Sequence, residues 1–214
     1  MNRMLRIFGY LKHHDREGIK FDTEIPDISG YEIEKHDWTE VYPGACEELL
    51  ANMPEPKGKS VRMITYFDAN HAFNLLNRRS TTGVIVFMNS TPVKWYSKRQ
   101  NTVESSTYGS ELVAARIATD ISIEYRHKLR MMGVPILDTT LMFGDNKSVI
   151  MNTTLPSSNL KKKHNAIAYH RVREAVASRA VDLVHIPGVN NISDVLTKPL
   201  NGTTHSALVK PVLL

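Results

Sequence analysis

Apolar residues in this chain gather in short runs between turn-forming residues, and their period changes partway along. Val61–Phe67 is a mostly apolar run that predicts a buried strand ending at Asp68. Gly83–Met88 and Pro92–Ser97 are β-rich and joined by Asn89-Ser90, which predicts a hairpin. From Ser106 to Met132 the spacing becomes helical, and Gly133 and Pro135 supply the stop. The pattern then predicts a strand at Thr139–Phe143, a short helix at Lys147–Asn152 and a longer one at Asn165–Ser178. A fifth strand at Val181–Ile186 and a helical turn at Ile192–Leu196 follow. Three β runs, then helices alternating with two more strands, argue for an α/β domain with a mixed sheet covered by helices.

Upstream the pattern fades. Arg6–Leu11 reads as the end of a helix, Asp22–Glu40 is acidic without a clean period, and Pro54–Lys59 reads as a linker. The expected organisation is therefore an irregular N-terminal connector or tail at 1–58, a domain at 59–200 and a C-terminal tail at 201–214.

With 214 residues, 42% hydrophobic and 23% charged, the chain can bury a core of ordinary size. No run approaches the roughly 18–20 apolar residues of a membrane span, and Met1–His14 lacks the features of a secretory signal. A single cysteine, Cys46, excludes an internal disulfide and a cysteine-rich zinc site, and fits a reducing, intracellular setting. Charge divides the chain. Up to Ser60 there are 8 Lys/Arg against 12 Asp/Glu, and from Val61 onward 19 against 10. The second part has the electrostatic character of something that meets phosphates, so its few acids require a reason.

Asp68 and Asp145 each follow an apolar strand directly, where ligands of α/β sheets bind. Taken alone, Asp145 reads first as the N-cap of the short helix after it. At about 100° per residue, Ala115, Ala118, Ile121, Tyr125, Leu129 and Met132 fall within about 80° of Glu111, whereas Asp120 and Glu124 lie on the opposite face. Glu111 thus points with the core stripe and needs a partner, either a basic side chain or a metal. Asp194 lies in the first turn of the last helical segment, where a helix-dipole role is the alternative. As a set these hard oxygen ligands suit Mg²⁺ or Mn²⁺, and two such ions support in-line attack on a phosphodiester.

Several motifs occur together in one order: Asp68-Ala-Asn-His-Ala72, Arg78-Arg-Ser-Thr-Thr-Gly83, Lys94–Gln100, Val103-Glu-Ser-Ser106 with Ser110-Glu111, and Gly144-Asp-Asn146. Lys163-His164, Tyr169-His170, Arg173-Glu174 and Ser193-Asp-Val-Leu-Thr-Lys-Pro199 continue the series. Over about residues 61–200 the chain resembles the ribonuclease H region of copia-type retrotransposon polyproteins, and Arg6–Leu11 resembles the connection after the reverse transcriptase. The resemblance implies an RNase H-like fold, a five-stranded mixed sheet with acids gathered at one edge. It implies an endonuclease that hydrolyses the RNA strand of RNA–DNA hybrids with two Mg²⁺ ions (Mn²⁺ as a substitute), leaving a 5′-phosphate and a 3′-hydroxyl. Asp68 would bridge both ions, Asp194 would help hold the one that activates water, and Glu111 and Asp145 would hold the one at the leaving oxygen. The implied partners are the hybrid and the reverse transcriptase of the same polyprotein. The implied location is a cytoplasmic virus-like particle with a nuclear stage.

Some positions depart from the family pattern. Asn70 stands where a second acid is usual, and Phe73 and Asn74 stand where a glycine and an acid are usual. The loop Pro187-Gly-Val-Asn-Asn191 lacks the histidine that retroviral relatives carry there, and the polymerase's paired aspartates do not occur.

Arg78, Arg79, Lys98, Arg99, Lys161, Lys162, Lys163 and His164 are the candidate contacts to a nucleic-acid backbone. The lysine run reads equally as a solvated loop. Trp95 and Tyr96 are expected to pack rather than stack on bases, and the spacing of His164 and His170 does not suit zinc. The alternative to an active nuclease is a catalytically decayed retroelement fragment that binds nucleic acid without cleaving it. A DNA strand-transfer enzyme or a domesticated interaction protein finds less support in these residues.

Overall fold

Five strands form the sheet: β1 (Met63–Asn70), β2 (Thr81–Met88), β3 (Thr91–Arg99), β4 (Thr140–Gly144) and β5 (Val181–His185). Five helices accompany them: α1 (Asn2–His13), α2 (Thr107–Met131), α3 (Lys147–Thr154), α4 (Ala166–Ala177) and α5 (Gly202–Val209). The structure, a computed structural model, describes residues 2–160 and 162–213. The strand order is β3-β2-β1-β4-β5, antiparallel among the first three and parallel from β1 through β4 to β5. This is the mixed α/β sheet expected from the pattern.

The order follows from local chemistry. A two-residue turn joins β2 to β3, and Asn89 takes the left-handed conformation (φ 54°) that such a turn requires. In α2 the Ser106 side chain accepts a hydrogen bond from the Gly109 amide at the start, and Gly133 (φ 70°) lies just past the end. The parallel pairings need long crossovers, which α2, α3 and α4 supply.

Successive strand residues face opposite sides of the sheet. On one side Met63, Phe67, Val84, Val86 and Met142 pack against Leu112, Ala115 and Ala118 of α2 and Val172 of α4. The other side, built on Ile64, Ile85, Leu141 and Phe143, is covered by irregular chain: Ile28, Ile33, Val195 and Val212. The Tyr31 ring lies 4.7 Å from that of Phe143, centroid to centroid. The upstream segment, aperiodic as it is, thus supplies one wall of the core. It also buries Trp38 beside the Arg173 guanidinium, 4.7 Å from the ring centroid, and sends Glu47 to Arg126 at 2.8 Å. The stretch beyond residue 200 forms α5, whose first turn is capped by Asn201.

Three local expectations are corrected. β1 does not end at Asp68: β2 begins at Thr81, so the ladder continues through Asp68↔Gly83 to Asn70↔Thr81. Met132 lies past the last turn of α2 and is 68% exposed, off the core stripe. Trp95, on the outermost strand β3, is 54% exposed, whereas Tyr96 packs against the core as expected. Among the described residues no helix is long and apolar enough to cross a membrane.

Candidate active site

Asp68, Asp145 and Asp194 come from three places in the chain and converge on one. Each offers a carboxylate oxygen, and these oxygens all lie within 4.8 Å of one another. Asp68 is carried by the central strand β1 and is fully buried. Asp145 follows the last residue of β4, which runs parallel beside β1, so the sheet brings the two aspartates together. Asp145 does not cap α3. Asn146 does, its side chain accepting from the Val149 amide, which leaves the aspartate unengaged by the helix.

Asp194 needs more help, because it lies on a short 3-10 segment, Ile192–Leu196, outside the sheet. Four side-chain hydrogen bonds hold that segment. Asn191 Nδ2 donates to the Phe67 carbonyl at 2.9 Å, and Asn70 Nδ2 to the Thr197 carbonyl at 3.0 Å. Ser97 Oγ donates to the Leu196 carbonyl at 2.7 Å, and the Thr197 hydroxyl donates to Asp68 Oδ2. Asn70, where an acid is usual, is therefore a donor here; an ionised carboxylate could not replace it. Gly83 lets the segment approach: a β-carbon there would lie 2.7 Å from Thr197 Cγ2 and 2.8 Å from the Ser193 carbonyl oxygen.

Glu111 comes from α2 and feels the charges of Asp68 and Asp145, but it is not one of the three acids whose oxygens lie within 4.8 Å of one another. It is buried, as the helical wheel requires, and its Oε2 has no hydrogen-bond partner among the described residues. Burial, followed by the charges of Asp68 and Asp145, holds its carboxyl well above the ordinary glutamate range. Burial and Asp68 also raise Asp145. Asp194 is pushed up to about 6, by burial first and then by the charges of Asp68 and Asp145, against the hydrogen bond from Lys198. A trio of aspartate oxygens, with a buried and orphaned glutamate oxygen in electrostatic reach of two of those aspartates, fits a hard divalent cation, because carboxylate oxygens are the donors such ions take.

Two basic residues at the site were not singled out from the sequence. Lys198 Nζ lies 3.1 Å from Asp68 Oδ1 and 2.8 Å from Asp194 Oδ1. Its four-residue separation from Asp194 on a helical turn was the available signal. His185, the last residue of β5, has Nε2 3.2 Å from the Asp145 carbonyl oxygen. It precedes the histidine-free loop at 187–191 and is found only by its place at the strand end.

The basic candidates fall into separate groups. Lys98, Arg99 and His164 line one cavity of about 320 Å³ beside the start of α2, together with Glu104 and Arg116. There His164 Nε2 lies 3.4 Å from Glu104 Oε2. Lys162 reaches Ser105 and the capping residue Ser106, 3.2 Å from each hydroxyl. Lys163 is exposed at the start of the 3-10 turn leading into α4. Arg78 and Arg79 are exposed on the loop between β1 and β2. Lys161 lies outside the described residues.

No protein-family model matches the chain. It is similar to the retrovirus-related Pol polyprotein from transposon RE1 of Arabidopsis thaliana, 31% identical over 150 residues, which are 69% of this chain and 10% of that polyprotein. The corresponding polyprotein from transposon RE2 of the same plant is 30% identical over 148 residues, 68% of this chain and 10% of that one. The matched part thus spans about a tenth of the length of these curated relatives. Among solved structures, LC11-RNase H1 from compost superposes with a TM-score of 0.50 at 16% identity, covering 64% of this chain and 92% of its own. Its complex with an RNA/DNA hybrid gives a TM-score of 0.50 at 15% identity, covering 64% and 94%. The fold is that of a ribonuclease H.

Proposed function

We propose that this chain, whose homologues are the Pol polyproteins of plant retrotransposons and whose fold is that of a ribonuclease H, is the ribonuclease H of a copia-type polyprotein and hydrolyses the RNA strand of RNA–DNA hybrids. The observation that carries this reading is the meeting of Asp68, Asp145 and Asp194 within 4.8 Å, with the buried Glu111, whose Oε2 has no hydrogen-bond partner among the described residues, in electrostatic reach of Asp68 and Asp145. Phosphodiester hydrolysis needs concentrated positive charge at the attacking and leaving oxygens, and two divalent ions held by these four carboxylates would supply it. The protein's part is positional. The central sheet anchors Asp68, β4 delivers Asp145, α2 delivers Glu111, and the pinned 3-10 segment delivers Asp194.

Arg78 and Arg79 on one loop, Lys98, Arg99, Lys162 and His164 beside the start of α2, and Lys161 and Lys163, the sequence neighbours of Lys162, would neutralise backbone phosphates. Contacts of this kind follow duplex shape and 2′-hydroxyls rather than base edges, so weak sequence preference follows. The reverse transcriptase of the same polyprotein would be its partner, within an intracellular, cytoplasmic particle.

The test is cleavage of an end-labelled RNA–DNA hybrid in Mg²⁺, beside duplex DNA, duplex RNA and an Asp68→Asn variant. Selective cutting of the hybrid's RNA strand, abolished by the substitution, is expected. Salt-sensitive hybrid binding without any product would replace this reading with that of a catalytically decayed fragment.

A further inference from the structure

The ammonium of Lys198 sits on carboxylate oxygens of two of the three clustered aspartates. Its Nζ is 3.1 Å from Asp68 Oδ1 and 2.8 Å from Asp194 Oδ1, between the two aspartates rather than beside either. A Mg²⁺ ion takes carboxylate oxygens at about 2.0–2.1 Å. An ion bound to those two oxygens would therefore fall within the space the ammonium fills, with two cations almost in contact. We propose that Lys198 is a built-in counter-ion of the acidic cluster, and that metal uptake at Asp68 and Asp194 is an exchange in which the lysine side chain withdraws. This rests on the metal-binding reading of the four carboxylates given above.

The surroundings suit an exchangeable cation. Asp68 is fixed, fully buried in β1 with its second oxygen taken by the Thr197 hydroxyl. Lys198 is not: its side chain is 33% exposed, and a four-carbon stem can carry its charge out to water when a metal takes over the carboxylates. The backbone that carries it stays in place, since the Lys198 amide donates to the Asp194 carbonyl at 2.9 Å and Asn70 holds the neighbouring Thr197 carbonyl. The motion is confined to one side chain. Lys198 is thus a placeholder: it neutralises carboxylates whose spacing is set by the backbone and by Asn191, Asn70 and Thr197, and it yields that place to the metal.

Exchange has a measurable consequence. Metal affinity in the native chain is lowered by the free energy of removing the ammonium, so Lys198→Met, similar in length and uncharged, binds the first Mn²⁺ about tenfold tighter or more by titration calorimetry. A second measurement uses the native protein, so that a variant that failed to fold would leave the matter decidable. The side-chain ¹⁵Nζ resonance of Lys198 shifts in step with Mg²⁺ saturation, as expected for an ammonium leaving two carboxylates. An Mn²⁺ affinity in Lys198→Met equal to or below the native value overturns the exchange and leaves the metal site standing, as does an Nζ resonance that ignores Mg²⁺. Failure of both proteins to take up Mn²⁺ overturns the exchange together with the metal site.

Discussion

The side-chain amide of Asn191 donates to the backbone oxygen of Phe67 at 2.9 Å, a buried hydrogen bond between positions 124 residues apart. Phe67 immediately precedes Asp68, and the Asn191 Oδ1 atom accepts from both the amide and the hydroxyl of Ser193, next to Asp194. One side chain therefore spaces two of the acidic residues. Replacing it with alanine orphans a buried carbonyl, so Asn191→Ala should lose about 1–3 kcal/mol in denaturant unfolding. Cleavage should fall by roughly 100-fold through displacement of Asp194, with hybrid binding kept. A variant as stable and as active as the native chain would remove Asn191 from the account.

Gly83 sets the distance between β2 and the segment that bears Asp194. A β-carbon there would meet Thr197 Cγ2 at 2.7 Å and the Ser193 carbonyl oxygen at 2.8 Å, and the second is backbone that cannot rotate away. Gly83→Ala should fold with a loss of about 1–3 kcal/mol, while Thr197 moves off Asp68 and hydrolysis drops sharply. Thermal melting and hybrid cleavage measured on the same sample separate the two effects. Native activity in this variant would show that the close approach is dispensable.

Glu111 trades stability for its place in the cluster. Its carboxyl is raised, first by burial and then by Asp68 and Asp145, so the folded state disfavours its charge. For a raised acid, stability falls as pH climbs above the unfolded value of about 4.5. Glu111→Gln should therefore melt higher than the native chain in chelator at neutral pH, by about 1 kcal/mol, and should lose cleavage. A lower melting point would mean that the carboxylate is stabilised by something other than a metal.

Glu47 behaves in the opposite sense, and far from the site. Burial pushes its carboxyl up, but the hydrogen bonds and charges of Arg126 and Arg130 outweigh this and hold it at about 2. A depressed acid contributes stability in full above its unfolded value, and loses it as pH falls from about 4.5 to about 2. Glu47→Gln leaves the buried Arg126 without its anion and should cost about 3 kcal/mol at pH 7. The difference from the native chain should shrink steadily on acidification, and a pH-independent difference would discount the pairing.

What could be read from the chain without coordinates was periodic. Short apolar runs between turn residues located five strands, of which β1, β2, β4 and β5 are buried on both faces, and helical spacing located the main helices, because one buried face imposes a period on a helix that packs against a core. The same wheel put Glu111 on the inner face of α2 and Asp120 and Glu124 outside, where Asp120 meets Arg116 and Arg171. The upstream segment had no such period, since irregular chain touches a core one residue at a time. Trp38, Ile28 and Glu47 consequently gave no pattern to follow, although they cover one face of the sheet and brace α2 and α4.

Spacing along the chain also says nothing of what crosses it. Three aspartates were recognisable as a set, but their meeting within 4.8 Å depends on β4 lying parallel beside β1 and on Asn191, Asn70 and Gly83 drawing in the last segment. Lys198 stood in plain view four residues after Asp194, and its bond to Asp68, 130 residues away, exists only in the folded chain. Periodicity is a local consequence of burial and can be read residue by residue. Convergence is a property of the whole packing, in which distant side chains share one low-dielectric space, and only the tertiary structure decides which charges must live together there.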